Sequence, residues 1–339
     1  MVAPDAQPVP PVAAVTAASP APEAPQAPPT PSKRKPRLSH RLEYGALRVA
    51  IGFFGLLGWD RASAAGGIIG SLGYWLGIRR RVAMKQIAAA FPELTPRQVR
   101  QIALGSYMHL GRLAVETALL SRLTPDDLLA RFEPLDWERW RSVLDRGKGA
   151  IVLTGHLGNW ELSGGYIAAR GVPVDAVVRS MGNPLFDAYI TRTRSRLGLR
   201  VVRDREAVRR TPKTLAANEV VGFLADQSGI GLASALVPFF GRPAWTPRGP
   251  AVFALRTGAP VFIGAAIRQS DGRFRIEAEE LPVVRTGSTD EDVAALLERY
   301  SHALERYIRL APEQYFWQHK RWKRQPADTP AHLRDPVEE

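Results

Sequence analysis

From residue 149 to residue 310, short apolar segments alternate with longer segments of helical spacing. The segments with the length and composition of strands are 150–154, 174–178, 199–202, 220–224, 260–267 and 274–281. Helical patterns at 160–170, 184–197, 206–217 and 249–257 separate several of them, and a last long helix is predicted over 290–310. This alternation indicates an α/β fold with a mostly parallel central sheet flanked by helices. Segment 274–281 is expected to add an antiparallel edge strand.

The N-terminal arm has a different composition. Residues 1–31 contain ten of the 28 prolines and only two charged residues, Asp5 and Glu23. Such a segment cannot bury enough apolar surface to offset the entropy lost on ordering. A basic cluster then ends the arm: Lys33, Arg34, Lys35, Arg37 and Arg41. We expect residues 1–41 to be a disordered Pro/Ala arm, and it lacks the basic start and apolar stretch of a signal peptide.

An apolar region follows the arm. Its two runs, 49–59 and 62–78, are separated by Asp60-Arg61, and an arginine triplet closes it at 79–81. Neither run reaches the roughly 18–20 charge-free residues of a membrane span. Cationic clusters on both sides of an apolar stretch favour a membrane-associated helical hairpin over residues 42–81, lying in or dipping into an anionic leaflet. A buried helix pair with solvated charges at its ends is the alternative.

The rest of the chain is predicted as an α/β domain over 82–326 with a C-terminal tail at 327–339. Its first part, 82–147, is mainly helical. Thr95-Pro96 and Thr124-Pro125 each have the pattern of an N-cap followed by proline in the first turn, and a further helix is expected at 136–145, ended by Gly147.

The segment Gly155-His156-Leu157-Gly158-Asn159-Trp160-Glu161 directly follows the first predicted strand. Reactive groups in α/β sheets collect at the carboxyl ends of strands, and His156 lies there. The two glycines permit a tight turn, and Asn159 can cap the next helix. On one regular helix His156 and Glu161 would point about 140° apart, but they can meet if His156 lies in the loop. The carboxylate would then set the imidazole tautomer and raise its basicity, which predicts a general base.

Several blocks of this chain resemble the bacterial lipid A biosynthesis acyltransferases, within the lysophospholipid acyltransferase superfamily and its His-x4-Asp/Glu motif. They are GHLGNWE at 155–161, VRSMGNP at 178–184, ADQSG at 225–229, PFFG at 238–241 with TPRG at 246–249, and PEQYFWQHKRWK at 312–323. The resemblance covers about residues 42–325. One departure is the Asp60-Arg61 break, where many lipid A enzymes have a single long apolar span.

The resemblance implies transfer of a fatty acyl chain from an acyl thioester to a glycolipid hydroxyl, without a metal or another cofactor. His156 would remove the hydroxyl proton, and Glu161 would orient and stabilise the imidazolium. The expected acceptor is a lipid A precursor, the expected donor an acyl-acyl carrier protein, and the expected location the cytoplasmic face of the bacterial inner membrane. A phosphatidylinositol mannoside acylated from acyl-coenzyme A is the alternative. Glu161 favours the lipid A branch slightly, because the mannoside enzymes more often resemble His-x4-Asp.

Candidates for binding substrate are Arg179, Asp226, Gln227, Arg248 and Asn159. Arg179 follows the second predicted strand and Asp226 the fourth, so both are expected at the same sheet edge as His156. Arg179 could bind a substrate phosphate or the oxyanion. The alternatives are a surface arginine and an aspartate that caps a turn.

The charge balance indicates anionic partners. The chain carries a net charge of +13, and 179–213 holds ten Lys and Arg against three acids. An acidic acyl carrier protein or an anionic lipid headgroup would be drawn to such a surface, although a solvated face is the alternative. The C-terminal HKRWKR at 319–324 mixes tryptophan with cations, as interfacial anchors do.

Other function classes lack their signatures. The chain has no cysteine, which excludes disulfides, thiolate catalysis and Cys-ligated metals. No Gly-x-Ser-x-Gly elbow supports a serine hydrolase. No zinc-finger, helix-turn-helix or RNA-binding signature supports a nucleic-acid partner.

Overall fold

The computed structural model describes residues 36–227 and 234–337. Residues 1–35 of the predicted arm lie outside the described residues, as do Ser228 and Gly229 of the ADQSG block. The first described part is helical: α1 (Leu38–Leu57), α2 (Trp59–Trp75), α3 (Arg80–Ala90), α4 (Pro96–Leu119), α5 (Pro125–Leu129) and α6 (Trp137–Arg141). Both predicted Thr-Pro starts are confirmed, because Thr95 and Thr124 cap α4 and α5 through their side chains.

The remaining elements alternate as the sequence predicts. The strands are β1 (Ala150–Thr154), β2 (Val174–Val178), β3 (Leu199–Arg203), β4 (Val220–Leu224), β5 (Ser234–Phe239), β6 (Arg242–Pro247), β7 (Val261–Arg268) and β8 (Phe274–Leu281). The helices are α7 (Trp160–Ala169), α8 (Pro184–Arg196), α9 (Asp204–Ala216), α10 (Gly249–Thr257) and α11 (Thr289–Leu310). Each predicted strand is confirmed to within one residue at either end.

Among the described residues, six strands form one sheet in the order β3-β2-β4-β1-β7-β8. All neighbouring pairs are parallel except β7 and β8. The α/β fold with a mostly parallel, helix-flanked sheet is therefore confirmed, together with the antiparallel edge strand. Because side chains alternate along a strand, Ile151 and Leu153 of β1 pack in one cluster with α10 and α11. Ala150 and Val152 face the opposite layer, with α6 and α7.

The hairpin of β5 and β6 is absent from the sequence prediction. Its strands contain Pro238, Pro243 and Pro247, and proline within a run argues against a strand. The prolines are tolerated because a hairpin of two strands has only edges. Phe240 and Gly241 both have positive φ, 48° and 71°, as a tight hairpin turn requires.

The apolar N-terminal region folds as two helices, but they separate at Gly58, whose φ is 74°, and not at Asp60-Arg61. Both charged residues lie in the first turn of α2, where an acidic side chain suits the helix dipole. The basic cluster also differs from the prediction, since Arg41 already lies inside α1.

Glycines let α2 approach α4 closely. A Cβ on Gly70 would collide with the carbonyl oxygen of Tyr107, and one on Gly111 would collide with that of Gly66. One face of α2 is thus buried against α4. Its other face exposes Ile68, Ile69, Leu72 and Trp75. Within the described residues, no helix combines the length and apolarity needed to cross a bilayer.

Candidate active site

The register of the sheet brings His156 to Asp226. Thr154 at the end of β1 lies opposite Leu224 at the end of β4, and the two candidate residues each follow two positions later. The imidazole Nδ1 of His156 lies 2.7 Å from Oδ1 of Asp226, and the backbone N–H of His156 donates to Oδ2 at 2.9 Å. With Nδ1–H donating to the carboxylate, Nε2 carries the free lone pair and can act as a base.

Asp226 is held as a carboxylate. Its side chain is 1% exposed. Burial alone would raise the pKa of Asp226, but the charge of His156 and the hydrogen bonds that His156 donates keep this pKa below its ordinary value. The amide of Gln227 lies 3.2 Å from the same ring nitrogen of His156. Two of the predicted substrate-binding residues therefore contact His156 directly.

The loop carrying His156 is fixed by β7 and by the C-terminal block. Asn159 N–H donates to the carbonyl of Ala266 on β7 at 2.9 Å. Phe316 N–H donates to the carbonyl of His156 at 3.0 Å. The rings of Trp160 and Phe316 lie 4.8 and 6.0 Å from the imidazole. This apolar surround restricts the imidazole and excludes water from part of its surface.

Glu161 forms its hydrogen bonds with Arg194 and not with His156. Arg194 on α8 donates to both of its oxygens, from Nε at 2.9 Å and from Nη2 at 2.5 Å, and both side chains are largely buried. Burial would raise the pKa of Glu161, but Arg194 and, to a smaller extent, His156 hold this pKa below its ordinary value. The expectation that Glu161 sets the tautomer of His156 is thus corrected, because Asp226 occupies the Nδ1 side of the ring.

The side chain of Asn159 is buried and forms its hydrogen bonds within the protein. Its Oδ1 accepts from Leu162 N–H as the cap of α7, as predicted, and its Nδ2 donates to Glu116 at 2.8 Å. Glu116 on α4 is completely buried and also accepts from Ser63 and Arg268. Asn159 therefore anchors the loop, and neither end of its amide is free for the substrate role expected from the sequence.

A second side chain of α4 supports the same loop. His109 Nε2 lies 3.0 Å from the carbonyl oxygen of Gly158. Burial, opposed in part by this hydrogen bond, lowers the pKa of His109 to about 4, so its ring is neutral at physiological pH. Four residues of this site were not predicted from the sequence, because none of them belongs to a local motif: His109, Glu116, Arg194 and Arg268.

The two remaining predicted site residues lie farther out. Arg179 follows β2 at the same sheet edge, is 55% exposed, and lies 3.6 Å from Asp204. Arg248 precedes α10 and pairs with Asp290 at 2.5 Å. Neither arginine makes a hydrogen bond with His156 or Asp226. Among the described residues, no group of His, Asp and Glu side chains is arranged to hold a metal ion.

An apolar cavity of about 180 Å³ lies between the sheet and the α6–α7 layer. It reaches from Thr154, Trp160 and Glu161 at the carboxyl edge to Trp137 and Trp140. Small side chains make room for it. Ala176 of β2 and Val152 of β1 both pair with Gly222 of β4, so they form one row across the three strands. The sequence shows these small residues but not the register that aligns them.

The sequence is similar to those of known acyltransferases. The family model described as bacterial lipid A biosynthesis acyltransferase matches residues 32–324. A lipid A biosynthesis lauroyltransferase of Escherichia coli is 27% identical over 257 residues, covering 75% of this chain and 82% of the relative. The palmitoleoyltransferase of the same organism is 27% identical over 251 residues, covering 73% and 80%. A phosphatidylinositol mannoside acyltransferase of Mycolicibacterium smegmatis is 24% identical over 234 residues, covering 68% and 75%.

Proposed function

Because the chain belongs to the bacterial lipid A biosynthesis acyltransferase family, and is therefore an acyltransferase, we propose that His156 is its general base. The acyl chain would pass from the thioester of an acyl-acyl carrier protein to a hydroxyl of a lipid A precursor. The observation that carries this proposal is the His156–Asp226 pair, with Nδ1 and Oδ1 2.7 Å apart. Trp160, whose ring lies 4.8 Å from the imidazole, lines an apolar cavity.

The proposed reaction uses the two nitrogens of His156 for different tasks. Nε2 takes the proton of the acceptor hydroxyl as its oxygen attacks the thioester carbonyl. The carboxylate of Asp226 stabilises the resulting imidazolium through Nδ1–H. When the tetrahedral intermediate collapses, the C–S bond breaks and the imidazolium returns the proton to the departing thiolate. The products are an ester and a free thiol.

The cavity supports a fatty acyl group as the transferred group. Its walls are mainly apolar and it begins beside Trp160, whose ring lies 4.8 Å from that of His156. Burying a methylene in such a cavity contributes about 0.8 kcal/mol, so an alkyl chain placed there would orient the thioester toward the base. Glu161 and Arg194, as a neutralised pair, form part of its wall.

An acidic carrier protein as donor is supported by the cations of α8 and α9. Within 179–213, five of the ten cations face a carboxylate: Arg179, Arg194, Arg200, Arg203 and Arg210. The other five are exposed and make no ion pair among the described residues: Arg192, Arg196, Arg205, Arg209 and Lys213. The last three recur every four residues and so share one face of α9. We expect Arg209→Glu to raise KM for an acyl-acyl carrier protein and leave KM for acyl-coenzyme A unchanged.

Interfacial contact with the cytoplasmic leaflet is supported by α1. Its exposed apolar residues Leu42, Val49, Phe53 and Leu56 follow helical spacing, and the basic residues Arg41 and Arg48 accompany them. Co-sedimentation with phosphatidylglycerol vesicles tests this contact. Leu56→Asp should reduce binding, whereas equal binding of this variant and the wild type would exclude α1 as the contact.

Lipid mass spectrometry tests the reaction as a whole. Wild type and His156→Ala are expressed in a bacterium that lacks one late lipid A acyltransferase. Lipid A heavier by one acyl group, formed only by the wild type, is the expected result. Unchanged lipid A with verified expression would overturn the lipid A acceptor. The match to the mannoside acyltransferase makes a phosphatidylinositol mannoside, acylated from acyl-coenzyme A, the second candidate to assay.

A further inference from the structure

The carboxylate of Glu116 joins four elements of the fold. It accepts hydrogen bonds from Ser63 Oγ on α2 at 2.5 Å, from Asn159 Nδ2 at 2.8 Å, and from Arg268 Nη2 on β7, which lies 2.5 Å from each of its oxygens. Glu116 itself lies on α4, and Asn159 lies in the loop three residues after His156. The helical N-terminal region, the loop of His156 and the sheet therefore meet at one buried carboxylate.

The ion pair between Glu116 and Arg268 is costly to bury. The two side chains are 0% and 8% exposed, and Nε of Arg268 is buried without a hydrogen-bond partner among the described residues. Removing two charges from water costs free energy that their attraction often fails to recover, so apolar residues of similar volume commonly stabilise a fold as well or better. Stability alone therefore does not account for this pair.

The side-chain amide of Asn159 needs an acceptor at the place where Glu116 lies. Its Oδ1 accepts from Leu162 N–H at 3.0 Å as the cap of α7, which leaves Nδ2 directed at Glu116. Asn159 is completely buried, so water cannot replace a lost acceptor. A buried donor without an acceptor costs free energy, and the loop would relieve this cost by rotating the amide or shifting its backbone. Glu116 therefore holds the side chain of Asn159 in one orientation.

The backbone of Gly158 is enclosed on its other sides. Its φ is 59°, and a Cβ at this position would lie 2.0 Å from the carbonyl oxygen of Ala266 on β7. Its N–H donates to the carbonyl of Gln314 at 3.1 Å, and its carbonyl oxygen lies 3.0 Å from His109 Nε2. Gln314 also bonds both backbone groups of Arg268 at 2.9 Å. The loop thus lies between β7 and the C-terminal block on one side and α4 on the other.

We propose that Glu116 is a positioning residue for the reaction and acts on His156 through Asn159. The inference rests on the proposed role of His156 as the general base. Arg268 supplies the counter-charge that a carboxylate needs in the protein interior. A general base must lie within hydrogen-bond reach of the proton that it takes, and a displacement of about 1 Å can lower the rate about 10²-fold.

Two double variants separate positioning from stability, because neither leaves a buried charge without a partner. Glu116→Gln with Arg268→Met keeps an oxygen that can accept from Asn159, whereas Glu116→Met with Arg268→Met removes it. We expect the second double variant to lose about 10²-fold in kcat with little change in KM. The first should recover at least tenfold of this loss, because the acceptor of Asn159 is present. Glu279→Gln with Arg306→Met, which removes an exposed ion pair between β8 and α11, is the matched control and should have the wild-type kcat.

Acyl transfer is measured below the melting temperature of every variant, with urea unfolding in parallel. A difference in kcat smaller than tenfold between the two double variants would overturn the proposal, since the acceptor of Asn159 would then have no part in the reaction. A loss of kcat in the second double variant that its unfolded fraction explains would overturn it as well, because the role of Glu116 would then be structural only.

The tautomer of His156 gives a readout that does not depend on turnover. In protein labelled with nitrogen-15 histidine, the ring signals of His156 are assigned by their absence from His156→Ala. At a pH where the ring is neutral, the wild type should show a protonated Nδ1 and an unprotonated Nε2, as the bond to Asp226 requires. The second double variant should show a mixture of tautomers, and the first should show the wild-type form.

The two readouts also separate this inference from the proposed function. If the wild type transfers no acyl group, or if His156→Ala transfers at the wild-type rate, the proposed function fails. The tautomer then decides the positioning role by itself, and identical ring signals in the two double variants would overturn it. If the wild type is active, His156→Ala is inactive and the two double variants have equal kcat, the positioning role fails alone.

Discussion

Asp226→Asn removes the negative charge beneath His156 and keeps the shape of the side chain. In the wild type, Asp226 can only accept from Nδ1–H at 2.7 Å. The NH2 of an asparagine can donate to Nδ1 instead, which places the ring proton on Nε2. The nitrogen that faces the acceptor hydroxyl is then no longer a base. The imidazolium formed during the reaction also loses its counter-charge.

The expected loss is large because Asp226 is 1% exposed, so water cannot replace the lost charge. Removing the carboxylate from a Ser-His-Asp array lowers kcat about 10⁴-fold, and general-base assistance by itself contributes about 10²–10⁴-fold. We expect a fall in kcat of about 10³-fold or more, equivalent to about 4 kcal/mol of transition-state stabilisation. KM should change little, because Asp226 lies behind the imidazole and away from solvent.

Comparison with Glu161→Gln shows which of the two carboxylates, Asp226 or Glu161, acts on His156. It leaves Arg194, whose side chain is 12% exposed, without a counter-charge. Breaking a buried ion pair costs about 3–5 kcal/mol, so the main loss should be in the free energy of unfolding. For the fraction that remains folded, kcat should fall less than about tenfold, because the tautomer of His156 is set by Asp226.

The assay is single-turnover acyl transfer at 10–15 °C below the lowest melting temperature in the series, at about pH 7.5, with urea unfolding measured in parallel. Asp271→Asn, in the exposed turn between β7 and β8, is the control and should match the wild type in both measurements. A 10³-fold loss of kcat in Glu161→Gln, with Asp226→Asn within tenfold of the wild type, would refute this reasoning and assign the imidazole to Glu161.

The pH dependence of stability gives an independent check. The folded-state pKa of Asp226 lies below its ordinary value. The hydrogen bonds that His156 donates to this carboxylate therefore stabilise the fold above the unfolded pKa of about 3.9, and their contribution is lost as pH falls through the lower folded value. The difference in the free energy of unfolding between wild type and Asp226→Asn should be largest near pH 7. It should shrink below about pH 4, and a difference that is constant with pH would contradict the pairing.

Three further predictions concern the cavity, the helix packing and the buried histidine. Val152→Phe should shorten the transferred acyl chain by about two carbons or more, because each methylene in an apolar pocket contributes about 1–3 kcal/mol to discrimination between substrates. Lipid mass spectrometry measures the length of the transferred chain. Gly111→Ala should lower the free energy of unfolding by about 2 kcal/mol or more in urea titrations, because its Cβ meets the Gly66 carbonyl, whereas Gly45→Ala, with open space around it, should be neutral or slightly stabilising. Between pH 6.5 and pH 4 the wild type should lose about 3 kcal/mol that His109→Gln retains, because the folded state resists protonation of this ring; parallel slopes for the two proteins would contradict it.

Much of the fold could be predicted from the sequence, because the patterns that indicate it are local. The apolar runs of β1, β2 and β4, the Thr95 cap and the Gly-rich turn around His156 depend on residues only a few positions apart. The same local signals placed His156 in a loop at the carboxyl edge of the sheet, as the structure shows. The β5–β6 hairpin was not predicted, because proline argues against a central strand. The prolines are tolerated because this hairpin forms a two-stranded sheet separate from the main sheet.

The sequence alone determined the six strands of the main sheet, the loop of His156 and the residues able to act as acids and bases there. The tertiary structure decided which of them meet. Strand β4 lies between β1 and β2, so Asp226 lies beside His156 although the two are 70 positions apart in the chain. Glu161 forms its ion pair with Arg194 of α8. Likewise, Gln86 of α3 accepts a hydrogen bond from the backbone N–H of Arg321, 235 positions away. Such pairings depend on strand order, register and helix packing. These are set by contacts between residues far apart in the chain, so they leave no local pattern in the sequence.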